Sequence, residues 1–129
     1  METQLYDQAV KCRDTYKPPA KLVIRGEIYM AELPEGVQSE QTGYKPVVVI
    51  VQNDAGNTYS STTIVAVITS KTKSNIPTHF DIELLKTSTV LCEQIQTISK
   101  SRLRKRMGKL TPQQMEELDY RIKVSLGLI

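Results

Sequence analysis

Two β-branched runs separated by a short polar stretch constrain this chain more than any other feature. Pro46 opens the first run, Val47 to Val51, and the second extends from Thr62 to Thr69. Val, Ile and Thr are stiff at χ1 and fill a pleated, packed surface better than a helix. Between the runs, Asn53-Asp54-Ala55-Gly56-Asn57 carries turn chemistry. The pattern predicts strand, loop and strand: an antiparallel pair buried on at least one face. Lys45 stands just before the first strand and Thr69 closes the second. A suitable register brings that cation and that hydroxyl to the same end of the sheet.

The rest of the chain surrounds this pair. In residues 1–19, Leu5, Ala9, Cys12 and Tyr16 recur at helical spacing before Lys17-Pro18-Pro19 stops the pattern, which marks an N-terminal appendage. Leu22 to Leu33 reads as a long first strand, with a bend or bulge at Gly26. Pro34 to Gly43 is a polar loop longer than a hairpin needs, and loops of that kind often carry function. Ser70 to Asn75 is a polar basic loop containing Lys71 and Lys73. Ile76 to Leu84 reads as a strand, with Phe80, Ile82 and Leu84 alternating against His79, Asp81 and Glu83. A tight turn at Leu85-Lys86-Thr87 leads to a last strand, Thr89 to Ile98, in which Glu93 and Gln94 are embedded. A carboxylate in an apolar strand requires a partner or a wet cleft.

Ser99 is placed to cap a short helix ending at Met107-Gly108, with Gly108 in the capping role. Basic side chains crowd that segment, from Lys100, Arg102, Arg104, Lys105 and Arg106 to Lys109. They read either as a solvated surface or as a seat for an RNA backbone. Thr111-Pro112-Gln113-Gln114 is a capping box with Pro at the first helical position. Met115, Leu118, Ile122, Leu126 and Ile129 follow as the apolar stripe of an amphipathic helix. The fold class expected is mainly β (α+β): a small SH3-like antiparallel barrel of about five to seven strands, closed by a C-terminal helix.

Composition narrows the chemistry. A length of 129 residues fits one domain, and a net charge of +3 permits an anionic partner without requiring one. One histidine, His79, rules out a histidine-based triad and argues against a metal site. Cys12 and Cys92 lie far apart without a CxxC and read as free thiols. The glycines are isolated, so no phosphate-cradling loop is present and no cofactor is expected. The longest apolar run is too short for a bilayer, and the N-terminus lacks a signal-peptide plan, so a cytoplasmic protein is expected.

Several stretches together resemble the MazF/PemK (Kid) family of bacterial toxins. They are Arg25-Gly26-Glu27-Ile28-Tyr29, Ser39-Glu40-Gln41, Lys45-Pro46-Val47, Gln52-Asn53-Asp54-Ala55-Gly56-Asn57, Pro77-Thr78-His79 and Glu93-Gln94-Ile95. The likeness covers roughly residues 23–129, which marks 20–129 as a toxin domain behind the 1–19 appendage. It implies an endoribonuclease that cuts single-stranded mRNA at a specific sequence, without metal. Attack by the 2′-OH would leave a 2′,3′-cyclic phosphate and a 5′-OH.

The resemblance gives Lys45 and Thr69 the catalytic role, and gives RNA binding to Ser39, Gln41, Lys71, Glu93, Gln94 and Gln96. It also implies a homodimer and a cognate MazE-like antitoxin with a flexible acidic tail. Two positions depart from the family pattern: Lys45 stands where an Arg is usual, and Gln96 where an Arg is frequent. Two alternatives follow. One is a gyrase poison of the CcdB type, which shares the fold but depends on a terminal Trp-Gly-Ile that this chain lacks. The other is a catalytically weakened RNA- or partner-binding descendant.

Overall fold

The computed structural model describes residues 22–33, 46–70 and 75–129. The predicted helix in 1–19, the 34–43 loop and the basic loop at Lys71 and Lys73 lie outside them. The first strand, β1 (Glu27–Ala31), is shorter than the 22–33 stretch expected. Gly26 turns the chain just before it, at φ 93°. Its amide donates to Ile50 O and its carbonyl accepts from Leu110 N. A Cβ at Gly26 would meet Met115 Sδ at 2.7 Å, so conformation and space both require glycine there.

β2 (Val47–Ile50) pairs antiparallel with β3 (Thr62–Thr69), as the β-branched runs predict. The stretch between them is a helix rather than a plain turn. In α1 (Asp54–Tyr59), the Asn53 side chain caps the first turn by accepting from Gly56 N at 2.8 Å. β4 (His79–Glu83) and β5 (Thr87–Ser99) form the expected hairpin across Leu84–Lys86.

Beyond β5 the prediction fails in part. Ser99 does cap a helical turn, but only one, of 3-10 type, at Lys100–Arg102. The chain then becomes β6 (Leu103–Lys109), paired antiparallel with β1. Gly108 lies in this strand and caps nothing. Long-range pairing with β1 outweighs the helical propensity of the Lys and Arg run.

The sheet runs β4-β5-β3-β2-β1-β6 and is mainly antiparallel β, as expected. β4 and β6 are its two edges, and among the described residues no ladder joins them. Ile82 to Leu85 and Met107 to Leu110 nevertheless line one cavity of about 320 Å³ between those edges. The barrel is therefore open along one seam.

Both faces of the sheet are packed. Ile28, Val49, Ala66, Ile68, Phe80, Ile82 and Val90 form one core with Leu110 and Leu118. Val23, Tyr29, Ala31, Val48, Ile50, Val65, Ile98 and Leu103 form the other. Neighbouring residues such as Val48 and Val49 serve opposite cores, the two-residue period of a strand.

The C-terminal helix, α2 (Pro112–Ser125), has the predicted capping box, Thr111 and Gln114 bonding each other's backbone. It packs on β4 and β5 through Leu118, with Met115 and Ile122 half-buried against the first core. The predicted stripe stops there. Leu126 and Ile129 lie beyond the helix and are exposed. No described helix is long and apolar enough to cross a membrane.

Candidate active site

The site starts from a register. Val47 lies opposite Ile68, so one further step sets Pro46 opposite Thr69. Lys45 itself lies outside the described residues, as do Ser39, Gln41 and Lys71. The row through Thr69 continues across the sheet on both sides. Thr69 pairs with Thr89, and Thr89 with Asp81. On the far side Ala31 N donates to Pro46 O at 2.9 Å, and Ala31 pairs with Leu103. Residues directly opposite in an antiparallel pair carry their side chains on one face. Thr69, Thr89 and Asp81 thus form one polar row, in which Thr89 Oγ1 donates to Asp81 Oδ1 at 2.8 Å. Thr69 is buried.

Glu93 and Gln94 reach this region by a bulge. Ala66 pairs with Ile95 but Val67 pairs with Leu91, so Cys92, Glu93 and Gln94 are looped out of the β3 ladder. The bulge sits opposite the Ala66–Val67 step, two to three residues along β3 from Thr69. Bulges re-aim side chains, and here one aims a carboxylate. Glu93 Oε1 accepts from Thr78 Oγ1 at 3.0 Å, and Oε2 lies 2.9 Å from His79 Nε2. Burial pushes the Glu93 carboxyl up, but the hydrogen bonds from His79, backbone and Thr78 outweigh it and hold it below the usual carboxylate range. The partner that a carboxylate in this strand requires is the Thr78–His79 pair. Gln96 is set apart: it pairs with Val65, about 13 Å along β3 from Thr69 at 3.3 Å per residue. His79 is buried and serves Glu93, in keeping with a structural role.

Other motif residues lie at the opposite end of β3 from Thr69. Arg25 gives its backbone N–H to Asp54 Oδ1, its Nε to Val51 O, and a 2.8 Å ion pair to Asp119 of α2. Gln52 Nε2 donates to Asn57 Oδ1 and Thr62 O, while Thr63 Oγ1 donates to the same Asn57 oxygen. A Cβ on Gly56 would press within 3.0 Å of the Gln52 side chain. Beneath this cluster Lys100, buried, donates from Nζ to Asn57 O at 2.6 Å and to Ser60 O. Burial draws its pKa down. The Gln52–Asn57 motif is thus a polar joint that fixes the entry to β3.

Sequence reasoning missed the Asp81–Thr89 pair and the Lys100 joint. Only the cross-strand register reveals the first. The second joins residues 43 positions apart. Among the described residues no three His, Cys, Asp or Glu side chains converge as a metal-binding set.

The fold has known counterparts. Residues 24–126 match the family model of the PemK-like, MazF-like toxin of type II toxin–antitoxin systems. This chain belongs to that family. Endoribonuclease MazF of Staphylococcus saprophyticus is 47% identical over 110 residues, spanning 81% of this chain and 91% of that protein. The structure of a mycobacterial endoribonuclease in complex with its cognate antitoxin superposes with a TM-score of 0.71 at 25% identity. That match covers 83% of this chain and 97% of the other. MazF of Deinococcus radiodurans shares the fold at a TM-score of 0.69 and 16% identity, over 83% of this chain and 98% of that one.

Proposed function

We propose that this MazF-family endoribonuclease cuts single-stranded mRNA at a short specific sequence, as the toxin half of a toxin–antitoxin module. The observation that carries the reading is the β2–β3 register, in which Pro46, the residue after Lys45, falls opposite Thr69. RNA brings its own nucleophile. The 2′-OH gives up its proton to solvent as it attacks the adjacent phosphate, the 5′-oxygen leaves taking a proton, and a 2′,3′-cyclic phosphate remains. The protein has to align the attack, offset the extra negative charge and protonate the leaving oxygen. An ammonium beside a hydroxyl serves all three needs, so Lys45 and Thr69 take the catalytic role.

Glu93 and Gln94, carried on the bulge, offer acceptors and donors for base edges, which a splayed single strand exposes. Ser39, Gln41 and Lys71 contribute from their loops, and Gln96 contacts RNA farther along the groove. The chemistry uses no metal and no cofactor. The toxin works as a homodimer, is held by a cognate antitoxin whose acidic tail competes with RNA, and acts in the bacterial cytoplasm. Residues 1–19 are an appendage outside the matched span, and a chain starting at Lys21 keeps its cleavage activity. The family match and the curated relative named as an endoribonuclease disfavour both the gyrase poison and a non-cleaving descendant.

Purified protein incubated with a long RNA in excess chelator tests the mechanism. Discrete cuts bearing cyclic or 3′-phosphate ends are expected. Activity that disappears in chelator and returns with a divalent ion would overturn it.

A further inference from the structure

Two consecutive residues where β4 begins pin the β5 bulge, and the carboxylate on it, at three points. Thr78 O accepts from Cys92 N at 3.0 Å, and Thr78 Oγ1 donates to Glu93 Oε1 at 3.0 Å. His79 Nε2 lies 2.9 Å from Glu93 Oε2. His79 is itself anchored: its amide donates to Ile76 O at 2.9 Å, it pairs with Leu91 of β5, and it is buried. The backbone bond and the Leu91 pairing already close the bulge. A tie that served the fold alone would not need a carboxylate whose side chain is 38% exposed.

These bonds fix the carboxylate without using it up. Its two oxygens offer about four lone-pair sites. Thr78, His79 and the Glu93 backbone N–H take three of them, so one more donor is accepted from the open side. A freely rotating glutamate loses rotamer freedom when it binds a ligand, whereas one already held by its neighbours does not.

We propose that Thr78 and His79 are positioning residues for RNA binding: they hold the Glu93 carboxylate in one orientation, so that it accepts an N–H or O–H donor of the RNA without first being ordered. The proposal rests on the reading of Glu93 as an RNA contact and adds the pair that sets it. The test reads binding apart from cleavage. The full chain is titrated with a random-sequence pool of single-stranded 2′-O-methyl RNA, whose blocked 2′ oxygens cannot attack, and affinity is followed by fluorescence anisotropy. Thr78 is half-buried and Thr78→Val keeps its shape and its backbone bond to Cys92, so this variant should fold. It should weaken binding about two- to tenfold, the scale of having to immobilise one side chain on association. Thr78→Ser, which restores the hydroxyl, should recover the parent's affinity.

A double-mutant cycle separates positioning from a merely structural role. In a Glu93→Ala background, Thr78→Val should have no further effect on affinity, because the group it positions is gone. His79→Ala, measured where urea unfolding shows it folded, should follow the same pattern. Undiminished affinity in Thr78→Val overturns the proposal, and so does an equal loss with and without Glu93. A parent that binds the blocked pool but cuts no unmodified RNA defeats the cleavage mechanism and leaves the cycle to decide the positioning role. A parent that binds neither overturns both.

Discussion

His79 Nε2 stands 2.9 Å from Glu93 Oε2, with the imidazole buried and the carboxylate open to solvent on one side. The pair ties the β5 bulge to the start of β4, and Thr78 Oγ1 reinforces it at the other carboxylate oxygen. Removing the imidazole leaves a hole in a packed strand and takes away one of the two side-chain bonds to Glu93. His79→Ala should therefore destabilise the fold by about 1–3 kcal/mol. His79→Gln keeps a donor within reach and should recover part of that. Urea unfolding of the three proteins checks this, and equal midpoints for parent and His79→Ala would contradict it.

Lys100 is the second test. A buried ammonium donating to two carbonyls at the end of α1 has no replacement among the apolar residues. Lys100→Met keeps the stem but leaves Asn57 O and Ser60 O without that donor, a loss of about 1–3 kcal/mol. Lys100→Ala adds a cavity and should cost more, toward about 2–5 kcal/mol. Should both variants unfold at the parent's urea concentration, the joint is not a stability element.

These sites also mark where the sequence was readable and where it was not. The β2–β3 pair was legible because Val and Ile dominate consecutive positions and polar residues separate the runs. The α2 cap was legible because Thr111 and Gln114 lie within one turn. The demand that Glu93 find a partner was legible as well, since charge in an apolar strand has few solutions. Arg102 to Lys109 misled because Lys and Arg are good helix formers locally. Its strand exists through Tyr29 and Glu27, about 80 positions away, the latter held by a 2.7 Å bond from Arg106. The bulge at Cys92–Gln94 had no local signal, because residues looped out of one strand are defined only by the pairing of its partner. Asn53 was read as a turn residue, although the same side chain is a strong helix cap.

The Glu27 cluster gives stability a pH dependence on both sides. Burial pushes the Glu27 carboxyl up. Bonds from Arg106, from Ile24 N and from Tyr29 more than offset this, leaving it below the usual carboxylate range. Burial, followed by the Glu27 charge, raises Tyr29 from 10.0 to about 12. A depressed carboxylate stabilises above its unfolded pKa of about 4.3, and that contribution disappears as pH falls through the folded value. A raised phenol stabilises below its unfolded pKa of about 10, and that contribution is lost as pH rises toward the folded value. Glu27→Gln should flatten the acid limb of a stability–pH curve, and Tyr29→Phe the alkaline limb. Limbs of unaltered slope in both variants would refute the assignment.

Lys45 carries the last prediction, because it stands at the centre of the proposed chemistry, where the resemblance to the family leads one to expect Arg. Lysine keeps the positive charge but loses the planar fork that grips a phosphate through two parallel bonds. Its ammonium is the better proton donor, with a reference pKa of about 10.4 against about 12.5 or more for guanidinium. The substitution therefore moves the site toward acid catalysis of 5′-oxygen departure and away from rigid clamping of the phosphorane charge. Lys45→Ala should lower the cleavage rate by about 10² to 10³-fold, the scale for deleting one transition-state donor. Lys45→Arg should retain activity or raise it, since it restores a bidentate grip on phosphate. Single-turnover cleavage of a defined RNA separates the outcomes. If Lys45→Ala cuts as fast as the parent, the position is not catalytic and the register that sets Pro46 against Thr69 organises only the fold. An inert parent beside an active Lys45→Arg would identify a nuclease scaffold that has lost its working residue.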